Sequence, residues 1–449
     1  MTITTDLRLA DLAAESRPIR VGVLGPGFMG KALILQIAGT TPGMVVTAVH
    51  CRDVEKARAA LEWAGVADVD VVDSASAVDR SARAGRVALT QDVEALTAAD
   101  EVDVVVDVTG AVEFGAVAAL SAFEHGKHLV LMNAELDATL GWELACRAAS
   151  AGVVYTGSDG DQPGVQLNLY RFVQRIGLTP LVCGNVKGLQ DRFRNPTTQQ
   201  GFAARWGQDP RMVSSFADGT KVNVEQALVA NATGMSVHRR GLLGRDHDGH
   251  IDELTTMYDV DELRALGGAV DYVVGSRPGP GVYVLGAMDD PRQRHYLELY
   301  KLGKGPLYSF FIPYHLVHFE VPFAIARVAL FRDSLAKPLA GPTVEVCAVA
   351  KRDLQAGETL DNYGMYMTYG EAASTAEMSE RRYLPEGLAV GCTLRRDVRQ
   401  DEPLTYDDVD LPAGRIADRL RAEQLERFKG EGWLGDLLEG AHDRVTGRA

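Results

Sequence analysis

Two lysines and a set of carboxylates carry the chemistry that this chain can do. The segment S-F-A-D-G-T-K puts Asp218 and Lys221 three residues apart at the start of a helical run, and so on one face. A buried lysine can hold or remove the hydroxyl proton of an alcohol as hydride leaves the carbon. Burial beside other cations lowers its pKa toward the working range, and Asp218 would orient the ammonium. An exposed ion pair at a helix start accounts for the same spacing. Lys187 follows an apolar strand over 181–186, so it is either a second acid–base group or substrate clamp, or a surface lysine at a strand end. Asp159 and Asp161 flank Gly160 at another strand end, where they can meet substrate hydroxyls or a metal, or simply form a turn. His315, His318 and Glu320 make H-x-x-H-x-E between Pro313 and Pro322. That spacing matches no standard zinc signature. A histidine hydrogen-bonding a substrate is the first expectation, and metal ligation by His315 and His318 the lesser one. Arg192 and Arg194 lie near Lys187 and can receive a phosphate or carboxylate, as can Arg239 and Arg240; solvated loop charge is the equal alternative.

A cofactor for such chemistry is written at 19–30, I-R-V-G-V-L-G-P-G-F-M-G. An apolar strand runs into Gly25-x-Gly27-x-x-Gly30 and then into a helical pattern. Gly25 allows the tight turn, Gly27 lets backbone approach a pyrophosphate, and Gly30 lets helix pack on strand. The pyrophosphate would sit at the helix N-terminus, at Phe28 and Met29, where free N–H groups and the macrodipole favour negative charge. An NAD site usually places an acid about twenty residues past the glycines. Here that place falls at Cys51, with Arg52 next and Asp53 after it. Arg52 can attract the 2′-phosphate of NADP, and Asp53 can still serve NAD, so both dinucleotides remain open.

These residues need a scaffold, and the pattern supplies one. Strands are expected at 19–24, 44–51, 69–72, 102–108, 128–132 and 153–156, with helices over 31–38, 54–64, 112–125 and 139–151. Near-continuous Val/Leu runs mark strands buried on both faces of a parallel sheet. The fold class is α/β: a doubly wound Rossmann domain over 1–157, then an α+β substrate domain over 158–340. In the latter, helices over 165–176 and 221–232 mix with strands at 181–186, 270–274, 281–286 and 307–311. The stretch K-R-D-L-Q-A-G-E-T-L at 351–360 is echoed 44 residues later by R-R-D-V-R-Q-D-E-P-L at 395–404, which predicts a pseudo-symmetric small β module over 341–412. An amphipathic helix over 413–429, in a last region of 413–449, reads as a packing or subunit-contact helix.

The totals narrow the function classes. A net charge of −15 disfavours a general nucleic-acid or anionic-membrane binder. The five cysteines are scattered with no C-x-x-C pair, which suits a reducing cytoplasm and neither a zinc framework nor a disulfide scaffold. The first 18 residues hold no apolar signal-peptide core, and no run approaches membrane-span length.

Several motifs together resemble homoserine-dehydrogenase-like oxidoreductases with a C-terminal SAF domain, over nearly the whole chain. They are the glycine turn, D-V-T-G at 107–110, M-N-A-E at 132–135, D-G-D-Q-P-G at 159–164, the segment ending in Lys221, P-Y-H-L-V-H-F-E-V-P at 313–322, and the arm at 351–360. The resemblance implies an NAD or NADP cofactor, tightly bound where turnover is redox-neutral, contacted by Thr109, Gly110 and Asn133 besides the glycine turn. It places Glu135 at the substrate and tips Asp218 and Lys221 toward function. Some members of the group resemble enzymes that epimerise branched-chain polyol phosphates through a transient oxidation. The chain departs from homoserine dehydrogenase itself in having Ala134, not lysine, after Asn133, which argues against homoserine as substrate.

Three readings follow. One is redox-neutral epimerisation of a small polyhydroxylated, phosphorylated substrate; the second is a net dehydrogenase of a hydroxy acid or polyol; the third is a non-catalytic dinucleotide and sugar sensor. The expected partner is a small molecule, with no nucleic acid and no membrane, and a homo-oligomer is expected from the exposed edges of a small β module. Tyr363, Tyr366 and Tyr369 of that module are open to substrate contact.

Overall fold

The computed structural model describes residues 5–430; the end of the last expected region, 431–449, lies outside them. The first part runs α1 (Asp6–Ala14), β1 (Ile19–Leu24), α2 (Phe28–Thr40), β2 (Met44–His50), α3 (Val54–Trp63), β3 (Val69–Val71) and α4 (Ala75–Arg83). It continues with β4 (Val87–Thr90), α5 (Val93–Thr97), β5 (Val104–Asp107), α6 (Val112–Glu124), β6 (His128–Leu131), α7 (Ala134–Ser150) and β7 (Tyr155–Gly157). All seven strands are parallel, in the order β3-β4-β2-β1-β5-β6-β7. The order reverses between β1 and β5, so a crevice opens beyond their carboxyl ends, where α/β sheets bind ligands. Alternate residues of β1 and β5 feed two separate cores. Val21, Val23, Val104 and Val106 face Leu33, Ile34 and Ile37 of α2, while Leu24 and Val105 face α6 and α7.

The second part holds α8 (Gln162–Arg175), β8 (Thr179–Lys187), α9 (Pro196–Trp206), α10 (Pro210–Ala217), α11 (Thr220–Thr233) and β9 (Arg245–Asp246). After these come α12 (Val260–Leu266), β10 (Ala269–Val274), β11 (Gly281–Ala287), α13 (Pro291–Leu299), β12 (Leu307–Ile312) and α14 (Val321–Phe331). Its mixed sheet has the order β12-β11-β8-β10-β9. Helices α8 and α11 cover one face with Val165, Val173, Val224 and Leu228. Helix α14 leaves this part and returns to the first, packing Val321, Ile325 and Val328 into the β1–β5 core.

The third part pairs β13 (Val344–Ala350) with β14 (Thr368–Ser374), followed by α15 (Thr375–Arg381), α16 (Glu386–Ala389), β15 (Thr393–Leu394), β16 (Val409–Asp410) and α17 (Ile416–Gly430). The 44-residue repeat is a repeat of structure. Leu354 and Val398 exchange both backbone hydrogen bonds, at 2.8 and 3.0 Å. Asp353 accepts from the Gln400 N–H as Asp397 accepts from the Ala356 N–H, and Arg352 pairs with Glu358 as Arg396 pairs with Glu402. The symmetry breaks at Lys351 and Arg395. Lys351 is buried against the second part, whereas Arg395 is paired with exposed Asp410. Helix α17 closes back on α6 and α7: the Glu113 carboxylate accepts from the N–H groups of Ile416 and Ala417, both at 2.9 Å, the favoured place for an anion.

Candidate active site

The glycine turn is built for a dinucleotide. Gly25 has φ +88°, a left-handed conformation that glycine adopts without strain. A Cβ on Gly30 would lie 2.1 Å from the Gly25 carbonyl oxygen, so only glycine permits this approach of α2 to β1. A Cβ on Gly27 would meet nothing within 4 Å, leaving its outer face open. Gly27 is the N-cap and offers no side chain, so the N–H groups of Phe28, Met29 and Gly30 have no intrahelical acceptor. These features fit a pyrophosphate. At the end of β2, Cys51 is half-buried, while Arg52 is exposed with no carboxylate partner among the described residues. Asp53 serves as N-cap of α3, accepting from the Lys56 N–H at 3.0 Å.

On the other side of the crevice, Asp107 at the end of β5 is buried and binds its neighbours tightly. It accepts from the Thr109 hydroxyl at 2.6 Å, the Thr109 N–H at 2.9 Å and Asn133 Nδ2 at 2.9 Å. Asn133 also caps α7 through Leu136 N–H and donates to the Ala111 carbonyl. Its side chain is wholly buried and engaged by protein, so it shapes the crevice. Burial raises the Asp107 carboxyl above its ordinary range, against the hydrogen bonds that favour its charge. The result is a fixed loop carrying Gly110 at φ +65°.

Between this loop and the second sheet lies an ionic cluster. Lys221, in the first turn of α11, pairs with Glu135, in the first turn of α7, at 3.0 Å. Lys187, at the end of β8, donates to Gln162 Oε1 at 2.7 Å and lies 3.3 Å from Glu225 Oε2. Asn185 donates to Glu225 at 3.0 Å and also to Gln162, whose amide meets His315 Nε2 at 3.2 Å. Asp161 caps α8 beside them. Burial alone would lower the Lys221 ammonium, but Glu135, Asp161 and Glu225 reverse this, and its pKa is raised. Burial raises the Glu225 carboxyl and lowers His315, which is therefore neutral near pH 7.

This geometry corrects several expectations. The carboxylates of Glu135, Asp161 and Glu225 hold Lys221 charged, so its pKa is raised and not lowered toward the working range. Asp218 does not orient it. The helix starts at Thr220, after Gly219 at φ +95°, so Asp218 lies outside α11 and the same-face argument fails. Asp218 is instead buried against Lys351 of the third part, at 2.8 Å. Asp159 is buried with Asn168, at 2.6 Å, and Arg327, at 3.5 Å, away from Lys221; burial pushes its carboxyl up to about 6. Arg192 leans on Tyr369 and Asp401, and Arg194 on Asp191, so neither joins Lys187. His318 lies tilted against Phe319 with ring centroids 4.1 Å apart, whereas His315 faces Gln162. Among the described residues no group of three or more His, Cys, Asp or Glu side chains is placed to hold a metal.

The structure thus brings together Lys187, Lys221, Glu135, Asp161, His315 and Tyr363, and adds Gln162, Asn185 and Glu225. Glu225 had a signal in the sequence, since it lies four residues after Lys221 on the same helix face. Gln162 stands in the D-G-D-Q-P-G motif with nothing to mark its own role, and Asn185 had no signal, because their roles arise only where α8 crosses β8. Of the three tyrosines, Tyr366 binds Thr197 and Tyr369 binds Asp401; Tyr363 alone reaches the crevice, donating to the Gly110 carbonyl at 3.4 Å.

Two families match this chain in succession. Residues 25–156 match the homoserine dehydrogenase NAD-binding domain, and residues 160–321 match the catalytic domain of oxidoreductase DRL. The chain thus carries in succession a stretch similar to an NAD-binding domain and a stretch similar to an oxidoreductase catalytic domain. Homoserine dehydrogenase of Mycobacterium leprae is 35% identical over 140 residues, covering 31% of this chain and 28% of that protein. Its Mycobacterium bovis counterpart is 32% identical over 142 residues, covering 32% and 29%. The chain thus spans under a third of the length of these curated relatives. Among solved structures, a probable dehydrogenase from Thermotoga maritima aligns at 13% identity and TM-score 0.41, over 71% of this chain and 91% of that one. A myo-inositol dehydrogenase from Lactobacillus casei, in complex with NAD(H) and myo-inositol, aligns at 14% and 0.36, over 66% and 75%.

Proposed function

We propose that this protein is an NAD(P)-dependent enzyme transferring hydride between nicotinamide and the carbinol carbon of a small polyhydroxylated substrate. The observation that carries this is the 3.0 Å Lys221–Glu135 ion pair, which sets a buried, charged proton donor at the junction of the nucleotide and substrate sheets. The dinucleotide, bound along the turn from Gly25 to Gly30, supplies or accepts the hydride. Lys221 is the source of the proton that the substrate oxygen gains as the carbon is reduced, and Glu135 holds the ammonium in place. Exposed Arg52 is suited to a 2′-phosphate, so NADP is the favoured cofactor.

A second set, Lys187 with Gln162, Glu225 and neutral His315, stands ready for another proton. Simple hydride transfer has no use for it. This favours the redox-neutral reading, in which the oxidised carbon acidifies its neighbour and a second group moves that proton. The two lysines face the carboxylates of Glu135, Asp161 and Glu225, so the cluster is suited to hydroxyl groups, and a substrate phosphate would be met outside it.

Fluorescence titration with NADPH and NADH, followed by assay with small hydroxy-aldehydes, hydroxy-ketones and their phosphates, tests the reading. Lys221→Met is expected to bind cofactor as the wild type does and to lose about 100-fold or more in kcat. A wild-type protein that binds neither nicotinamide sinks the proposal. Product epimer with no net change in nicotinamide absorbance selects the redox-neutral route, and steady loss of reduced cofactor selects net turnover.

A further inference from the structure

Tyr363 lies in the third part of the chain, more than 200 residues from the strands whose crevice it enters. Its loop is firmly seated. Asp361 accepts from the N–H groups of Tyr366 and Met367, at 3.0 and 3.3 Å, and Lys351 donates to the Met365 carbonyl at 2.9 Å. Gly364, at φ +70°, is pressed against α10: a Cβ there would lie 2.4 Å from the Arg211 carbonyl oxygen. The phenol that this loop presents is fixed before any ligand arrives. Its hydroxyl stands over Gly110, where a Cβ would come within 3.1 Å of it, and lines a small cavity with Glu135.

We infer that Tyr363 is a catalytic residue of this site, the group that hands its phenolic proton to the substrate oxygen, with Lys221 and Glu135 as the relay behind it. This rests on the hydride-transfer reading above. In the reducing direction the carbonyl carbon receives hydride from reduced nicotinamide. The carbonyl oxygen takes the Tyr363 proton as the phenolic O–H bond breaks. The phenolate, stabilised by the Lys221 cation, then takes a proton from that ammonium, and solvent restores the lysine. Oxidation runs the same steps backwards. Burial and Glu135 raise the phenol's pKa, while Lys221 and Arg211 lower it, so Tyr363 stays protonated in the resting site and serves as the acid. Tyr366, whose hydroxyl meets Thr197 at 2.9 Å, is the natural control.

The test compares wild type, Tyr363→Phe and Tyr366→Phe in the full chain, with NADPH and NADH as binding probes and glyceraldehyde and erythrose as carbonyl probes. Tyr363→Phe is expected to bind nicotinamide within about threefold of wild type and to lose about 100-fold or more in kcat, with KM little changed. Tyr366→Phe is expected to keep both. A polyfluorinated tyrosine placed at 363 and titrated by fluorine NMR gives a readout that needs no substrate. Lys221→Met should raise its midpoint, and Glu135→Gln lower it, by about one pH unit or more. Wild-type kcat in Tyr363→Phe, or a midpoint indifferent to both changes, overturns the role while leaving nicotinamide chemistry standing. Absence of nicotinamide binding by the wild type overturns the functional reading, and this role with it.

Discussion

Glu386 shows how a single side chain can set a pH limit. The Thr368 hydroxyl donates to its Oε1 at 2.9 Å, but Oε2 has no partner among the described residues. Burial pushes its carboxyl up to about 8, the Thr368 hydrogen bond opposing. The folded protein therefore holds a proton here that the unfolded chain releases above its ordinary carboxylate range. That contribution is complete at acid pH and is lost as pH rises through about 8. Glu386→Gln should melt a few degrees above wild type at pH 9, with the gap closing toward pH 5, and calorimetry across that range reads it. A constant gap would mean that Glu386 is charged throughout. The same scale explains what single residues concealed in the sequence. Lys187 and Lys221 stand out because lysine at a strand end or helix start is chemically suggestive. Asp218 stood out for the same reason and proved to be an anchor, because its partner Lys351 lies 133 residues away. No local spacing encodes such a pair.

Among elements, the glycine turn separates two effects of one methyl group. Gly30→Ala would put a Cβ 2.1 Å from the Gly25 carbonyl oxygen, so α2 must move off β1. A cost of about 1–3 kcal/mol is expected, together with loss of cofactor binding. Gly27→Ala meets nothing within 4 Å, so the apo protein should melt as wild type does. Its methyl nevertheless occupies the face a pyrophosphate must approach, and the rise in Tm on adding NADPH should vanish. A normal ligand-induced rise in Gly27→Ala would remove the turn from the cofactor site. This strand–turn–helix was legible because period and glycine spacing are local. Strand β4 was not, since V-A-L-T is too short a run to stand out, and it enters the sheet only by pairing with β2 and β3. The 44-residue repeat was readable as sequence, and its reciprocal hydrogen bonds give the reason: each half supplies the partner that the other lacks.

At the scale of the molecule, Lys351 locks the third part to the second. Its ammonium bonds Asp218 and the carbonyls of Arg194 and Met365, all within 2.9 Å. Lys351→Met leaves the buried Asp218 carboxylate without its cation, at an expected cost of about 3–5 kcal/mol in urea unfolding; Lys351→Met with Asp218→Asn should recover part of that loss. Additive losses would show that the pair is not coupled. The same change should lower kcat, because the Tyr363 loop rests on Lys351. No helix among the described residues is long and apolar enough to cross a membrane. The return of α17 to α6 and α7 bears on synthesis. Glu143, buried in α7, meets Arg427 at 2.8 Å across 284 residues, and the first turn of α17 sits on Glu113. On the ribosome the nucleotide fold emerges first, with Glu113 still lacking the α17 N–H groups and Glu143 holding only Arg147 of its own helix. Until α17 is made, α6 and α7 therefore lack the cover that ties the third part of the chain to the first.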